Sequence, residues 1–148
     1  METAEEETID IPISGGQVTV GITELTPEVD GDIDGERIKS INIKISAKAA
    51  IEQVSGMVRI SDGGIRESIE ASIADIMESR TRLVLLGMQN SGRDYMGILK
   101  DLELKHPYKF RKISSMEDSL RYAGINIEAD VHIERSYVTT DPEQDGGW

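Results

Sequence analysis

Cysteine is absent from this chain, which excludes disulfides, thiolate zinc sites and a cysteine nucleophile. Histidine occurs only twice, as His106 and His132, too few for a histidine-based metal site or for most catalytic triads. No apolar run approaches the ~18 residues that a membrane-spanning helix needs, so membrane insertion is not expected. The opening METAEEET lacks the basic and apolar blocks of a signal peptide. Aromatic residues make up only 4% of the chain, so an interior must be built from something else. Positive charge is missing from one region altogether. Residues 1–36 hold eleven Asp/Glu and no Lys or Arg, whereas residues 37–135 hold sixteen Lys/Arg against fourteen Asp/Glu. The last thirteen residues add three acids and no base, and the chain totals −12. Phosphate binding needs a positive face, so sequence-specific nucleic-acid binding is not expected.

What is present is isoleucine, twenty times in 148 residues, a β-branched aliphatic suited to pleated sheets. The length fits one compact domain. We read residues 1–9 as a flexible acidic arm, residues 10–137 as a single β-rich domain and residues 138–148 as a flexible acidic tail. Val18, Val20 and Ile22 alternate with small or polar residues and predict a strand over Gln17–Thr23. The Pro, Gly and Asp content of residues 26–37 predicts a loop. Ile41, Ile43, Ile45 and Ala47 then alternate with Asn42, Lys44, Ser46 and Lys48, the pattern of a sheet with one wet face. A further strand is predicted over Gly56–Ile60. Residues 65–78 change period, with Ile65, Ile69, Ile73 and Ile76 at steps of four, four and three, which makes a helix stripe. The period then returns to two, predicting strands over Arg82–Leu86 and Tyr95–Lys105, a polar connection over 106–119, and a strand over Tyr122–Arg135. The last of these sets Ile125, Ile127, Ala129, Val131 and Ile133 against Asn126, Glu128, Asp130, His132 and Glu134. The expected fold class is mainly β (α+β). It is a split β-barrel or two-sheet sandwich of about five to six strands with one packed helix, because one helix covers only part of such a sheet.

Candidate sites are few. Asp30, Asp32 and Asp34, with Gly35 following, have the first half of an EF-hand calcium spacing, yet twelve residues on stands Ile41 and not a bidentate acid. An acidic turn and a calcium loop are the two readings of that segment. The glycine pairs Gly15-Gly16 and Gly63-Gly64 lack the phosphate-loop spacings and read as turns. The carboxylate pairs Asp101/Glu103 and Glu128/Asp130, and the row Asp130/His132/Glu134, read as solvated strand faces more readily than as acid–base or metal sites. No cofactor and no enzymatic activity are expected. The densest basic patch runs from Lys105 to Lys112, with four positive charges, no acid and two aromatics. Lys105, Tyr108, Lys109, Phe110, Arg111 and Lys112 are therefore the expected interface residues, facing an acidic protein surface.

As an ordered set, INIKISAKA, VRISDGGIRESI, TRLVLLG, YMGILKDLEL and INIEADVHI resemble the split-barrel proteins of virus tails, with Asp62-Gly63, Ile69 and Tyr95–Leu99 at matching positions. The resemblance covers residues 38–134 and is similar to tail-tube, distal-tail and baseplate-hub proteins. It implies a non-enzymatic virion subunit, made in the host cytoplasm, that forms a hexameric or trimeric ring and contacts other tail proteins. A small monomeric β-barrel module that binds a ligand or protein is the alternative.

Overall fold

The computed structural model describes residues 7–13, 15–57, 63–94 and 97–136. Three strands come first: β1 (Glu7–Ile13), β2 (Gly16–Asp34) and β3 (Arg37–Gly56). Four helices follow, α1 (Gly63–Ser91), α2 (Ile98–Lys105), α3 (Pro107–Phe110) and α4 (Met116–Tyr122), and β4 (Gly124–Ser136) closes the order. The strands make one sheet in the order β1-β2-β3-β4. β1 and β2 are antiparallel, with Ile9 opposite Val20 and Ile11 opposite Val18. All four of these side chains are buried. β2 and β3 are joined by Gly35 and Glu36, a two-residue hairpin loop whose first residue has φ +62°. Glycine with positive φ at the first central position is the II′ pattern, whose twist matches that of the flanking strands.

β4 runs beside β3 in the same direction: Asn126 meets Asn42, and further along both strands Glu134 meets Lys48. The sheet is therefore mixed. A parallel pair cannot be joined by a tight turn and needs a crossover, which the four helices supply.

The α+β class, with strands outweighing helices, is as expected from the sequence. Closure is not: the sheet is open, and the described residues form four strands where five or six were expected and four helices where one was expected. The predicted strand over Arg82–Leu86 lies inside α1, because Leu85 and Met88 continue the buried stripe of Ile69, Ile73 and Met77. Most of the predicted strand over Tyr95–Lys105 is α2, built from Leu, Lys and Glu, all strong helix formers. The polar connection over 106–119 holds α3 and the start of α4. Residues 26–34 are strand and not loop, since Val29, Gly31 and Ile33 alternate inward. Glu7, Thr8 and Ile9 of the expected arm pair in β1. Residues 1–6, 58–62 and 137–148, with most of the predicted Gly56–Ile60 strand and the acidic tail, lie outside the described residues.

Two compact units divide the chain. The first comprises Met1–Thr26, Ser46–Ile76 and Ala129–Trp148. Its core is aliphatic: Ile9, Ile11, Val18, Val20 and Ile51 from the strands, with Ile69 and Ile73 from α1. At the β4 edge the Glu70 carboxylate accepts the Ile133 backbone N–H at 2.8 Å, so a helix side chain satisfies a donor of an edge strand. The second unit comprises Pro27–Ile45 and Met77–Glu128. There Ile38, Ile41, Ile43 and Ile45 of β3, Leu85 and Met88 of α1, Ile98 and Leu102 of α2, and Leu120 of α4 are all buried.

Candidate functional site

The segment singled out by its basic and aromatic residues forms a helical corner in the second unit. Asp94 starts it. Its two carboxylate oxygens accept the backbone N–H groups of Ile98 and Leu99 at 2.8 and 2.9 Å, capping donors that α2 cannot satisfy itself. Ile98 and Leu102 bury one side of α2. Leu102 lies over Gly31 of β2, where an added Cβ would come within 2.6 Å of a Leu102 methyl and 3.0 Å of the Ser40 carbonyl oxygen. Only glycine lets the helix approach so closely. Pro107 then begins α3 at a position where its missing N–H costs nothing.

Two polar contacts fix the corner to β2. The Lys105 ammonium donates to the Val29 carbonyl, and His106 Nε2 lies 2.8 Å from Asp30 Oδ1. That hydrogen bond, followed by the Gly31 backbone N–H at 2.7 Å, holds the Asp30 carboxyl below its ordinary value. Beyond the tether, Phe110 is buried, while Tyr108 is 78% exposed with the Arg111 guanidinium 5.8 Å from its ring centroid. A groove of about 520 Å³ opens here, lined by Glu103, Leu104, Pro107, Phe110, Arg111 and Met116.

Of the six expected interface residues, all but Phe110 are exposed, and of the exposed five Lys105 directs its ammonium to the Val29 carbonyl. Asp30, Asp32 and Asp34 lie at alternate positions of β2, all exposed. A strand spaces such residues by roughly 6.8 Å, and the first is already bonded to His106. Asp101 and Glu103 sit on α2 and not on a strand. No cluster of three metal-ligating side chains occurs among the described residues.

The wet face of the sheet bears shallower features. In the second unit a groove of about 390 Å³ is lined by Glu28, Asp30, Lys44, Glu128 and the amide pair in which Asn126 donates to Asn42 at 2.8 Å. In the first unit Lys48 sits between Glu24 at 3.2 Å and Glu134 at 3.5 Å. The hydrogen bond to Glu24, and then the charge of Glu134, raise its pKa. His132 is exposed there, 3.7 Å from Glu70. Sequence reasoning missed three residues that position these elements: Asp94, Glu70, and Gln89 of α1, whose side-chain amide donates to the Leu120 and Ala123 carbonyls. Asp94, four residues ahead of the Ile98/Leu102 repeat, was the one with a readable signal.

Fold and surface together define a class: a small α+β module with an open mixed sheet and a helical crossover, whose described residues offer charged grooves and hydrogen-bonding faces. Residues 1–137 match the model of the family described as Spore germination B3/GerAC like, C-terminal, and the chain belongs to that family. Its structure is similar to the crystal structure of the GerBC protein, with a TM-score of 0.74 over 88% of this chain and 11% sequence identity. The aligned part covers 41% of the GerBC chain, and at that identity the likeness is one of fold. Comparison with the curated proteins finds no match.

These findings overturn the virus-tail reading. The chain is a member of a spore-germination family and not a virion component; the tail-ring partners and the virion location fall with that resemblance. The monomeric β-barrel alternative falls too, since the sheet is open. The physical reason is plain. The segments quoted for the resemblance were alternating apolar patterns that any half-buried strand shares, and TRLVLLG and much of YMGILKDLEL are helical.

Proposed function

We propose that this chain is a non-enzymatic contact module of the spore-germination apparatus, a domain of a GerAC-type receptor component that works by binding other proteins of that assembly. The observation that carries this reading is the family match across residues 1–137. The fold likeness to GerBC supports it. The surface agrees in kind: the grooves are open to solvent and lined by hydrogen-bonding and charged side chains, suited to recognition by contact. The place of action in this proposal is the spore inner membrane. Among the described residues no helix is long and apolar enough to cross a bilayer.

The test is co-fractionation. An epitope-tagged chain, expressed from its own promoter, is followed through detergent-solubilised spore membranes by native sizing and by reciprocal capture with a tagged receptor subunit. Migration with that subunit, far above the size of the tagged protein alone, is the expected result. Recovery only at the size of the tagged protein alone, with no reciprocal capture, would sink the reading.

A further inference from the structure

We propose that the α2–α3 corner docks an acidic polypeptide segment bearing one apolar side chain. That side chain sits in the groove between Leu104, Phe110 and Met116, and the segment's carboxylates lie on Lys109, Arg111 and Lys112. The inference deepens the contact-module reading by naming a site and a partner chemistry, and it rests on that reading for the partner's place in the assembly.

Three observations converge on this surface. The first is shape. The groove of about 520 Å³ has Phe110, 7% exposed, as its floor, with Leu104, Pro107 and Met116 around it. Its volume accommodates a large aliphatic or aromatic side chain. Leu104 is 70% exposed and Tyr108 78%, so two of the most exposed large apolar side chains among the described residues belong to this corner. A concavity that sets four apolar side chains between Glu103 and Arg111, with such a rim, suits an interaction surface.

The second is charge. Residues 77–122 hold nine Lys/Arg against six Asp/Glu, in a chain whose net charge is −12. Lys48 and Arg121 are met by carboxylates of the chain itself. Lys109, Arg111 and Lys112 are exposed, and no carboxylate of a described residue pairs with them. Three such cations beside an apolar groove complement a segment that is acidic and carries one anchor.

The third is rigidity. The bonds from Lys105 to Val29 and from His106 to Asp30 fix the corner on β2 before anything arrives. A preformed site spares the ordering cost of binding.

A membrane surface fits less well. The feature is concave, and a flat headgroup layer would leave the groove unfilled. Single-stranded nucleic acid finds Tyr108 as the corner's one exposed aromatic ring for stacking.

The experiment uses the purified full chain and fluorescence anisotropy with a fluorescein-labelled nonapeptide of Glu and Asp around a central leucine. A companion peptide replaces that leucine with glycine, and vesicles of anionic phospholipid serve as a separate probe. The leucine peptide should bind at least about tenfold more tightly than the glycine peptide, as burial of one leucine implies. The triple variant Lys109→Glu, Arg111→Glu, Lys112→Glu should lose at least about tenfold, and added salt should weaken binding in the same direction. Leu104→Asp, at an exposed position, should lose affinity with its melting curve unchanged.

Equal binding of the two peptides would reduce the site to unspecific charge attraction and overturn the proposal. So would the absence of peptide binding, or vesicle binding that the triple variant abolishes while the peptide stays free. None of these results bears on co-fractionation with a receptor subunit, so the docking site and the contact-module reading fail separately.

Discussion

Gln89→Leu tests the joint on which the second unit depends. Gln89 is 8% exposed in α1, and its Nε2 donates to the Leu120 carbonyl at 3.0 Å and to the Ala123 carbonyl at 2.9 Å. Leu120 lies in the last turn of α4 and Ala123 is its C-cap, so these are carbonyls that the helix leaves without an internal partner. One amide group thereby fixes the end of α4, and with it the entry into β4. Leucine preserves volume and removes both donors, leaving two polar atoms to be desolvated unpaired. Each such loss costs about 1–3 kcal/mol, and the added apolar surface returns about 1, so a net loss of about 1–5 kcal/mol is expected for the two together. For a domain of this length each kcal/mol moves the melting temperature by about 2–4 °C. The melting temperature should thus fall by roughly 2–20 °C in a circular-dichroism melt. A fall of less than about 2 °C would mean that the two carbonyls do not depend on Gln89 and would refute the reasoning.

Three further outcomes are expected. Gly31→Val places atoms where Leu102 and the Ser40 carbonyl already stand, and should cost about 1–3 kcal/mol in urea unfolding; an unchanged midpoint would show that α2 does not pack there. Glu70→Ala strips the Ile133 N–H of its acceptor and should cost about 1–2 kcal/mol, with Glu70→Gln largely restoring it; equal loss in both variants would point to charge and not to the hydrogen bond. Asp30 has its pKa held below 3.8, first by His106, so its stabilising contribution is complete above that value and is lost as pH falls through the lower folded value. Wild-type melting temperature should therefore drop more steeply than that of Asp30→Asn below about pH 4, and parallel curves would show that the pair does not form.

The sheet was legible in the sequence wherever one face is wet. Ile41, Ile43, Ile45 and Ala47 are buried as their alternation implies, and β4 keeps its period of two, with Val131 and Ile133 buried. The isoleucine core was legible for the same reason. The helices after residue 78 were not. In α1 the buried stripe runs on through Leu85 and Met88, but Leu83, Val84 and Leu86 stand exposed beside it and fill in the pattern, so the local sequence imitates a buried strand. In α2 the spacing of Leu102 and Leu104 suggested period two, although Leu104 faces solvent and the buried pair is Ile98 and Leu102, four apart. Ser115, whose hydroxyl accepts the Asp118 N–H at 3.3 Å, is a helix-start signal hidden in a segment read as connection. β2 was cut short because Pro27 and four acids between 28 and 34 suggested a loop, while Val29, Gly31 and Ile33 carry the strand through them. At the candidate site the basic and aromatic composition located the corner. It could not separate Lys105 and Phe110, held by long-range contacts to β2 and to the core, from the residues left facing solvent.

Germination itself gives the most direct measurement of the contact-module role. Spores carrying an in-frame deletion of residues 1–137 are compared with wild type for loss of refractility after germinant is added, and the full chain is restored in trans. A slowed or abolished response that the restored chain repairs, in spores that form in normal numbers and with normal heat resistance, is the expected result. Deletion spores that germinate with wild-type kinetics on every germinant to which the parent responds would contradict it.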